Sequence, residues 1–302
     1  MRAVRLHAPG GPAGLVLERL AVPQPAAGEA QIRVHAAAIT RDELDWPVDR
    51  LPATPSYEVS GVVAAVADDV DDIAIGDEVY ALSPFDRDGA AADYAIVPVR
   101  VLATKPRTLR HIETAAIPLA GLSAWQALFD RGGLTAGQRV LIHGVGGVGG
   151  FAVQLAHRHG ADVIATASTA TIDIARALGA DQVIDHTTTR FEDVVDAVDL
   201  VFDTAGGDRL ERSFAVMRRG GRIVSVATEP SQEAADASGV TAVYFIVEPN
   251  RDQLTHLAEA ADSGDLRPTI DAVFALEDAR AAFERSLSGK ARGKIVLSVV
   301  AE

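Results

Sequence analysis

Cysteine does not occur anywhere in this sequence of 302 residues. Its absence excludes disulfides, cysteine-ligated zinc and a thiolate nucleophile. Long apolar runs are missing too: none approaches the ~20 residues needed to span a bilayer. Arg2 and Arg5 interrupt the stretch where a secretory signal would need continuous apolar residues. Cations are in the minority, 28 Lys and Arg against 42 Asp and Glu, for a net charge of -14. Recognition of nucleic acid or an anionic membrane by charge is therefore disfavoured. The cytoplasm is the expected location.

What is present describes an ordinary globular chain, 48% hydrophobic and 23% charged, and its length points to two domains. The N-terminal part reads as β-rich, with strands at 2–6, 30–35, 59–66, 76–80 and 93–97 separated by Pro- and Gly-rich turns. Asp68, Asp69, Asp71 and Asp72 lack the alternation and the glycine of a calcium loop, and read as a solvated turn. Residues 112–129 read as a helix interrupted at Pro118 and Gly121. Beyond them strands at 139–143, 162–166, 183–184, 200–203 and 222–226 alternate with helices at 147–159 and 172–178. Such alternation predicts a parallel sheet covered on both faces. Helices at 253–263 and 279–288 and a strand at 294–299 complete the chain.

The most informative segment is Gly144-Val-Gly146-Gly147-Val148-Gly149, which opens where an apolar strand ends and a helix begins. In that setting a G-x-G-x-x-G string binds a dinucleotide. The first glycine permits the turn, the second lets the backbone approach a pyrophosphate, and the third lets helix meet strand. The helix N-terminus adds free N–H groups and a positive dipole end. At the end of the second strand, NAD-preferring proteins carry an acid that takes the ribose hydroxyls. Here Ser168 and Thr169 stand instead, leaving room for a 2′-phosphate and favouring NADP(H). Both could equally cap the following helix. The nearest cations for the phosphate are Arg176, His186 and Arg190.

With those residues in place, the chain resembles the medium-chain dehydrogenase/reductase superfamily, and within it the zinc-free, zeta-crystallin-like quinone oxidoreductases. The likeness runs through Gly76-Asp-Glu-Val-Tyr80, Gly121-Leu-Ser-Ala-Trp-Gln-Ala-Leu128, Leu178-Gly-Ala-Asp-Gln-Val-Ile-Asp185, Val201-Phe-Asp-Thr-Ala-Gly206 and Gly293-Lys-Ile-Val-Leu297. The shorter glycine loop is the form common in the zinc-bearing branch. The resemblance implies an α/β fold: a discontinuous GroES-like β-barrel catalytic domain (1–110 and 251–302) and a Rossmann doubly wound parallel-sheet domain (111–250), with substrate in the cleft.

Zinc-bearing relatives place a cysteine early in the barrel and a His-Glu pair after a glycine. Here the first region reads Ile39-Thr40-Arg41-Asp42-Glu43 with no cysteine, Tyr57 occupies the histidine position, and Glu58 alone makes a poor zinc site, so no metal is expected. Without a Lewis acid, a quinone or an alkene conjugated to a carbonyl is the expected substrate, because its own carbonyl draws electron density. The resemblance offers Thr40 as an oxygen donor. It offers Tyr57 as a hydrogen-bond or proton donor, although a packed aromatic is an equal reading. Asp42, Trp46 and Phe85 are further cleft residues, and the loops 41–55 and 83–92 would carry specificity. Ser123, Thr204, Ala205, Phe245 and Val247 would lie along the cofactor. Lys294 would sit near the pyrophosphate, unless its stem merely covers the barrel. An alcohol dehydrogenase, an enoyl-thioester reductase and a non-catalytic NADPH-binding sensor are the alternatives. Residues 241–247 suggest an edge strand that pairs in a homodimer.

Overall fold

Alternating side chains in the N-terminal part let antiparallel strands share one interior face. The structure is a computed structural model describing residues 1–46 and 49–300, so Pro47 and Val48 of the 41–55 loop lie outside the described residues. Strands β1 (Arg2–Leu6) and β2 (Leu15–Arg19) pair as a hairpin. They are followed by β3 (Glu29–Ile39), β4 (Glu58–Val66), β5 (Glu78–Leu82), β6 (Tyr94–Pro98) and β7 (Ala103–Thr104). β3 continues past its expected end at His35 through Ala36, Ala37 and Ala38. Alanine has little strand propensity, but here these residues pair with β4 on one side and with a C-terminal strand on the other, and pairing overrides propensity.

The expected helix at 112–129 divides into His111–Ala115, Pro118–Trp125 and a π-helical turn at Gln126–Arg131. Pro118 starts the second helix rather than breaking one, since a first-turn proline gives up an N–H that has no helical partner.

Then come β8 (Arg139–His143), β9 (Asp162–Ala167), β10 (Gln182–Asp185), β11 (Val198–Asp203), β12 (Met217–Ser225) and β13 (Thr241–Tyr244). They form a six-stranded sheet in the order β10-β9-β8-β11-β12-β13, with every pair parallel. Leu141, Ile164, Val201 and Ile223 are fully buried in it, each contributing about 1.5–3 kcal/mol. Strand order reverses between β8 and β11, and ligands of such sheets bind beyond the strand C-termini at that reversal.

The C-terminal segment supplies helices Arg251–Asp262 and Ala279–Leu287 and strands β14 (Ile270–Ala275) and β15 (Lys294–Ser298). β15 joins β3 antiparallel, with Ile295 opposite Ile39. The chain divides into two compact units, Met1–Leu119 with Pro249–Glu302, and Ala120–Glu248. Among the described residues no helix is long and apolar enough to cross a membrane.

Candidate active site

In the second unit, β8 ends at buried His143 and the chain turns at Gly144, whose φ of 86° suits glycine. The Gly144 N–H donates to Thr166 O at 3.1 Å, tying the turn to β9. A Cβ at Gly149 would stand 1.8 Å from Gly144 O, so the helix Gly147–Arg158 rests directly on the turn. At Gly146, by contrast, a Cβ would meet no atom within 4 Å. That open side, with the first-turn N–H groups of Gly147, Val148 and Gly149 that the helix itself cannot satisfy, fits a dinucleotide pyrophosphate. Thr204 borders the same turn: its hydroxyl donates to His143 O at 2.6 Å. Asp203, fully buried, accepts from the N–H groups of Ala205 and Gly206 and from the Ser225 hydroxyl, which fixes the turn after β11.

At the end of β9, the hydroxyls of Ser168 and Thr169 already have protein partners. Ser168 Oγ lies 3.0 Å from Thr171 Oγ1, and Thr169 donates to Asp185 at 2.6 Å. Asp185 ends β10 and also accepts from Thr187, and these hydrogen bonds, Thr169's first, hold its carboxyl below the usual range. Thr187 leads into a pocket of about 570 Å³ bordered by His186, Arg190, Gly206 and Arg209. Arg190 is paired with Glu192. Arg209 comes from the segment after β11, and its guanidinium joins no ion pair among the described residues. The sequence reading missed it because the fold, not chain distance, brings it to the same pocket as His186. Further along the unit, Ser123 is buried within the helix Pro118–Trp125. Phe245 and Val247 are buried just past β13, and Gln126 holds Glu248 by both its main-chain groups.

In the first unit a second constellation forms where β3 ends and β4 begins. The neighbouring-strand register sets Ala38 opposite Glu58, so Thr40 and Tyr57 lie on adjacent chain segments. Glu43, 1% exposed, stitches them: it accepts from the N–H groups of Thr40 and Ser56, each at 3.1 Å. The second bond holds Ser56 at a φ of 69°, a left-handed backbone uncommon for serine. Burial pushes the Glu43 carboxyl up to about 8, outweighing the Thr40 N–H and Lys294, which pull the other way.

Tyr57 is fully buried, its ring 5.6 Å from Trp46 and 5.3 Å from Phe85. Its hydroxyl accepts from Arg50 at 3.3 Å, which leaves the phenolic proton available to donate. Burial raises its pKa. Asp42 is exposed outside this cluster. Lys294 lies in the first unit, its ammonium buried against the Glu58 carboxylate.

That pair answers whether zinc fits at the position of Thr40, Tyr57 and Glu58. An ammonium already neutralises the one carboxylate, and a threonine and a tyrosine stand where soft ligands would be needed. Among the described residues no three His, Cys, Asp or Glu side chains group to hold a metal. The residues present do not fit the ion. Neither Glu43 nor the Glu58–Lys294 pair was foreseen as part of the site. Only the β15–β3 pairing brings Lys294 to Glu58, across 236 residues of chain.

Known proteins share this organisation. Residues 26–107 match the alcohol dehydrogenase GroES-like domain family, and residues 178–297 match a family described as zinc-binding dehydrogenase. The chain is 34% identical to the NADPH-dependent alkenal/one oxidoreductase of Arabidopsis thaliana, a chloroplastic protein, over 95% of this chain and 77% of that one. It is 33% identical to the 2-methylene-furan-3-one reductase of Solanum lycopersicum, over 92% of this chain and 74% of the relative. The solved quinone oxidoreductase from Coxiella burnetii superposes with a TM-score of 0.93 at 31% identity, covering 99% of both chains.

Proposed function

The chain belongs to the medium-chain dehydrogenase/reductase superfamily, in its quinone oxidoreductase-like branch, and on that premise we propose that it is an NADPH-dependent, zinc-independent reductase of quinones or carbonyl-conjugated alkenes. The observation that carries the reading is the replacement of a metal set by the buried Lys294–Glu58 pair in a chain whose dinucleotide turn is intact. The names of the relatives support the substrate class.

In this reading Gly144, Gly146, Gly147, Val148 and Gly149 hold the pyrophosphate. Thr204 and Ala205 border the cofactor, and Ser123, Phe245 and Val247 shape its nicotinamide end. Bound NADPH supplies the hydride. Thr40 and Tyr57 each have a hydroxyl proton to offer a substrate oxygen as charge develops on it, which is where a fixed donor accelerates reaction. Trp46 and Phe85, both partly exposed, pack against the buried Tyr57 ring and offer apolar surface to a planar substrate. Two further parts of the proposal are a homodimer and a cytoplasmic location. The dimer rests on β13, which closes one edge of its sheet, with Tyr244 and, just beyond, Ile246 exposed by 42% and 65%.

The 2′-phosphate is assigned to Ser168, Thr169 and His186 together with Arg209, which supplies the cation that the segment after β9 lacks. Ser168→Asp places a carboxylate against that phosphate, and Arg209→Ala removes a charged donor. Each is expected to weaken NADPH binding about tenfold or more, the worth of a charged hydrogen bond, while NADH binding stays level. Titrating both nucleotides by fluorescence checks this. Equal losses for both, or none for NADPH, would place the phosphate elsewhere.

A further inference from the structure

The Lys294 ammonium has three N–H bonds and three oxygens around it. It donates to Glu58 Oε1, to Ile39 O at 3.1 Å, and toward Thr40 Oγ1 at 3.5 Å. An ammonium has no lone pair, so at this contact the Thr40 oxygen can only accept. The Thr40 hydroxyl proton must therefore turn away from Lys294. The main chain of Thr40 is engaged at both ends by Glu43, whose carboxyl group takes its N–H and whose own N–H donates to its carbonyl at 3.3 Å. The backbone is thus fixed, and the contact with Lys294 orients the half-buried hydroxyl.

Glu58 completes the arrangement. Fully buried at the start of β4, it takes the Leu119 N–H at 2.9 Å on one oxygen and Lys294 on the other. A lysine held this way cannot swing to solvent. A buried ion pair of this kind adds little net stability compared with apolar residues of the same volume. What it does add here is direction, a fixed positive charge behind one hydroxyl.

Resting on the reductase reading above, we propose that Lys294 and Glu58 are positioning residues that aim and polarise the Thr40 hydroxyl as the hydrogen-bond donor to the substrate's carbonyl oxygen. Hydride, carrying the electron pair that oxidises NADPH to NADP⁺ and reduces the alkene, adds to the carbon β to the carbonyl. The alkene π pair then moves toward the carbonyl, and its oxygen gains charge beside the Thr40 O–H. Thr40 keeps its proton; a solvent proton completes the C–H bond at the α carbon. Lys294 strengthens the donor by withdrawing charge from Oγ1, as linked hydrogen bonds in a low-dielectric setting do.

The test is a double-mutant cycle with NADPH and methyl vinyl ketone, reading kcat and KM separately, with NADPH Kd measured by fluorescence. Thr40→Val is expected to lower kcat about 100-fold, the scale for losing one such donor, and Lys294→Met to lower it by a smaller factor, because the hydroxyl remains but is no longer aimed and polarised. The double variant should lose no more than Thr40→Val alone, NADPH Kd should hold, and Thr40→Ser should restore most of the rate. If Lys294→Met folds poorly because Glu58 is left buried and unpaired, Lys294→Met with Glu58→Gln keeps the site neutral and should show the same loss. Losses that multiply in the double variant would overturn the proposal. So would a Lys294→Met protein with normal kcat and weakened NADPH, which would return Lys294 to the pyrophosphate. A wild-type protein that binds NADPH but reduces nothing would overturn the reductase reading itself, and this inference with it.

Discussion

Gly146→Val is expected to abolish dinucleotide binding in a protein that melts normally, whereas Gly149→Ala should damage the fold. The two glycines are three residues apart in one motif, yet they face different things. A Cβ at Gly149 would overlap Gly144 O at 1.8 Å, and that oxygen is main chain within a turn already bonded to Thr166, so no side chain can move aside. Overpacking of this kind costs roughly 1–3 kcal/mol, occasionally more, and a contact so short belongs at the upper end. At about 2–4 °C per kcal/mol, a fall in melting temperature on the order of 10 °C is expected. A Cβ at Gly146 would meet no atom within 4 Å, and its φ of -97° lies outside the left-handed range that favours glycine. The valine side chain would occupy only the space through which a pyrophosphate reaches the helix N-terminus. NADPH affinity should fall by more than about 100-fold, with the melting temperature within about 2 °C of wild type. Melting curves and nucleotide fluorescence on both variants separate the cases. Normal NADPH binding by Gly146→Val would remove this turn from the cofactor site.

Glu43→Gln is expected to change how stability depends on pH. The folded Glu43 carboxyl titrates near 8, above its ordinary 4.5. The unfolded chain therefore releases this proton first, and the stability conferred by the protonated folded group is fully present below 4.5. It is lost as pH rises toward 8, by about 1.4 kcal/mol per pH unit at most, a few kcal/mol in total. A glutamine at this position cannot titrate, so the loss disappears. At pH 5 the variant should be the less stable protein, by about 1–3 kcal/mol, because one of the N–H groups of Thr40 and Ser56 loses its acceptor. By pH 8 the difference should close or reverse. His143, buried and held down to about 3 chiefly by desolvation, weakens the fold in the opposite direction, as pH falls below the ordinary histidine range of 6.5. That acid limb is common to both proteins and cancels in the comparison. Denaturant melts from pH 5 to 8.5 supply the test, and parallel curves would show that Glu43 is ionised throughout.

The second unit was legible in the sequence because its signals are local. β8, β9 and β11 are short, largely apolar runs beside turns, and G-x-G-x-x-G marks the strand-to-helix corner directly. The first unit was harder to read. Ala36 to Ala38 hide the end of β3, and β14, with Asp271 and several half-exposed side chains, shows no clean alternation. The π-helical turn at Gln126–Arg131 has no sequence signal at all. Thr40 and Tyr57 could be singled out by their positions, but what surrounds them is set by sheet pairing. Nothing in the sequence sets Glu43 apart from its neighbours Asp42 and Asp45. Glu58 and Lys294 meet only because β15 lies beside β3, and Arg209, from the segment after β11, borders the same pocket as His186, from the segment after β10. Ser168 and Thr169 show the converse: their residue types suit a phosphate, but in the structure their hydroxyls are engaged locally, Ser168 with Thr171 and Thr169 with Asp185 and Thr187.

The most direct test of the account is the loss of reduced-nicotinamide absorbance, with NADPH and NADH run in parallel against quinones, enones and simple aldehydes. The account predicts rapid NADPH oxidation by quinones or enones, with little use of NADH and little reduction of aldehydes. NADPH that binds yet is oxidised by none of these acceptors would contradict it and favour a nucleotide-sensing protein.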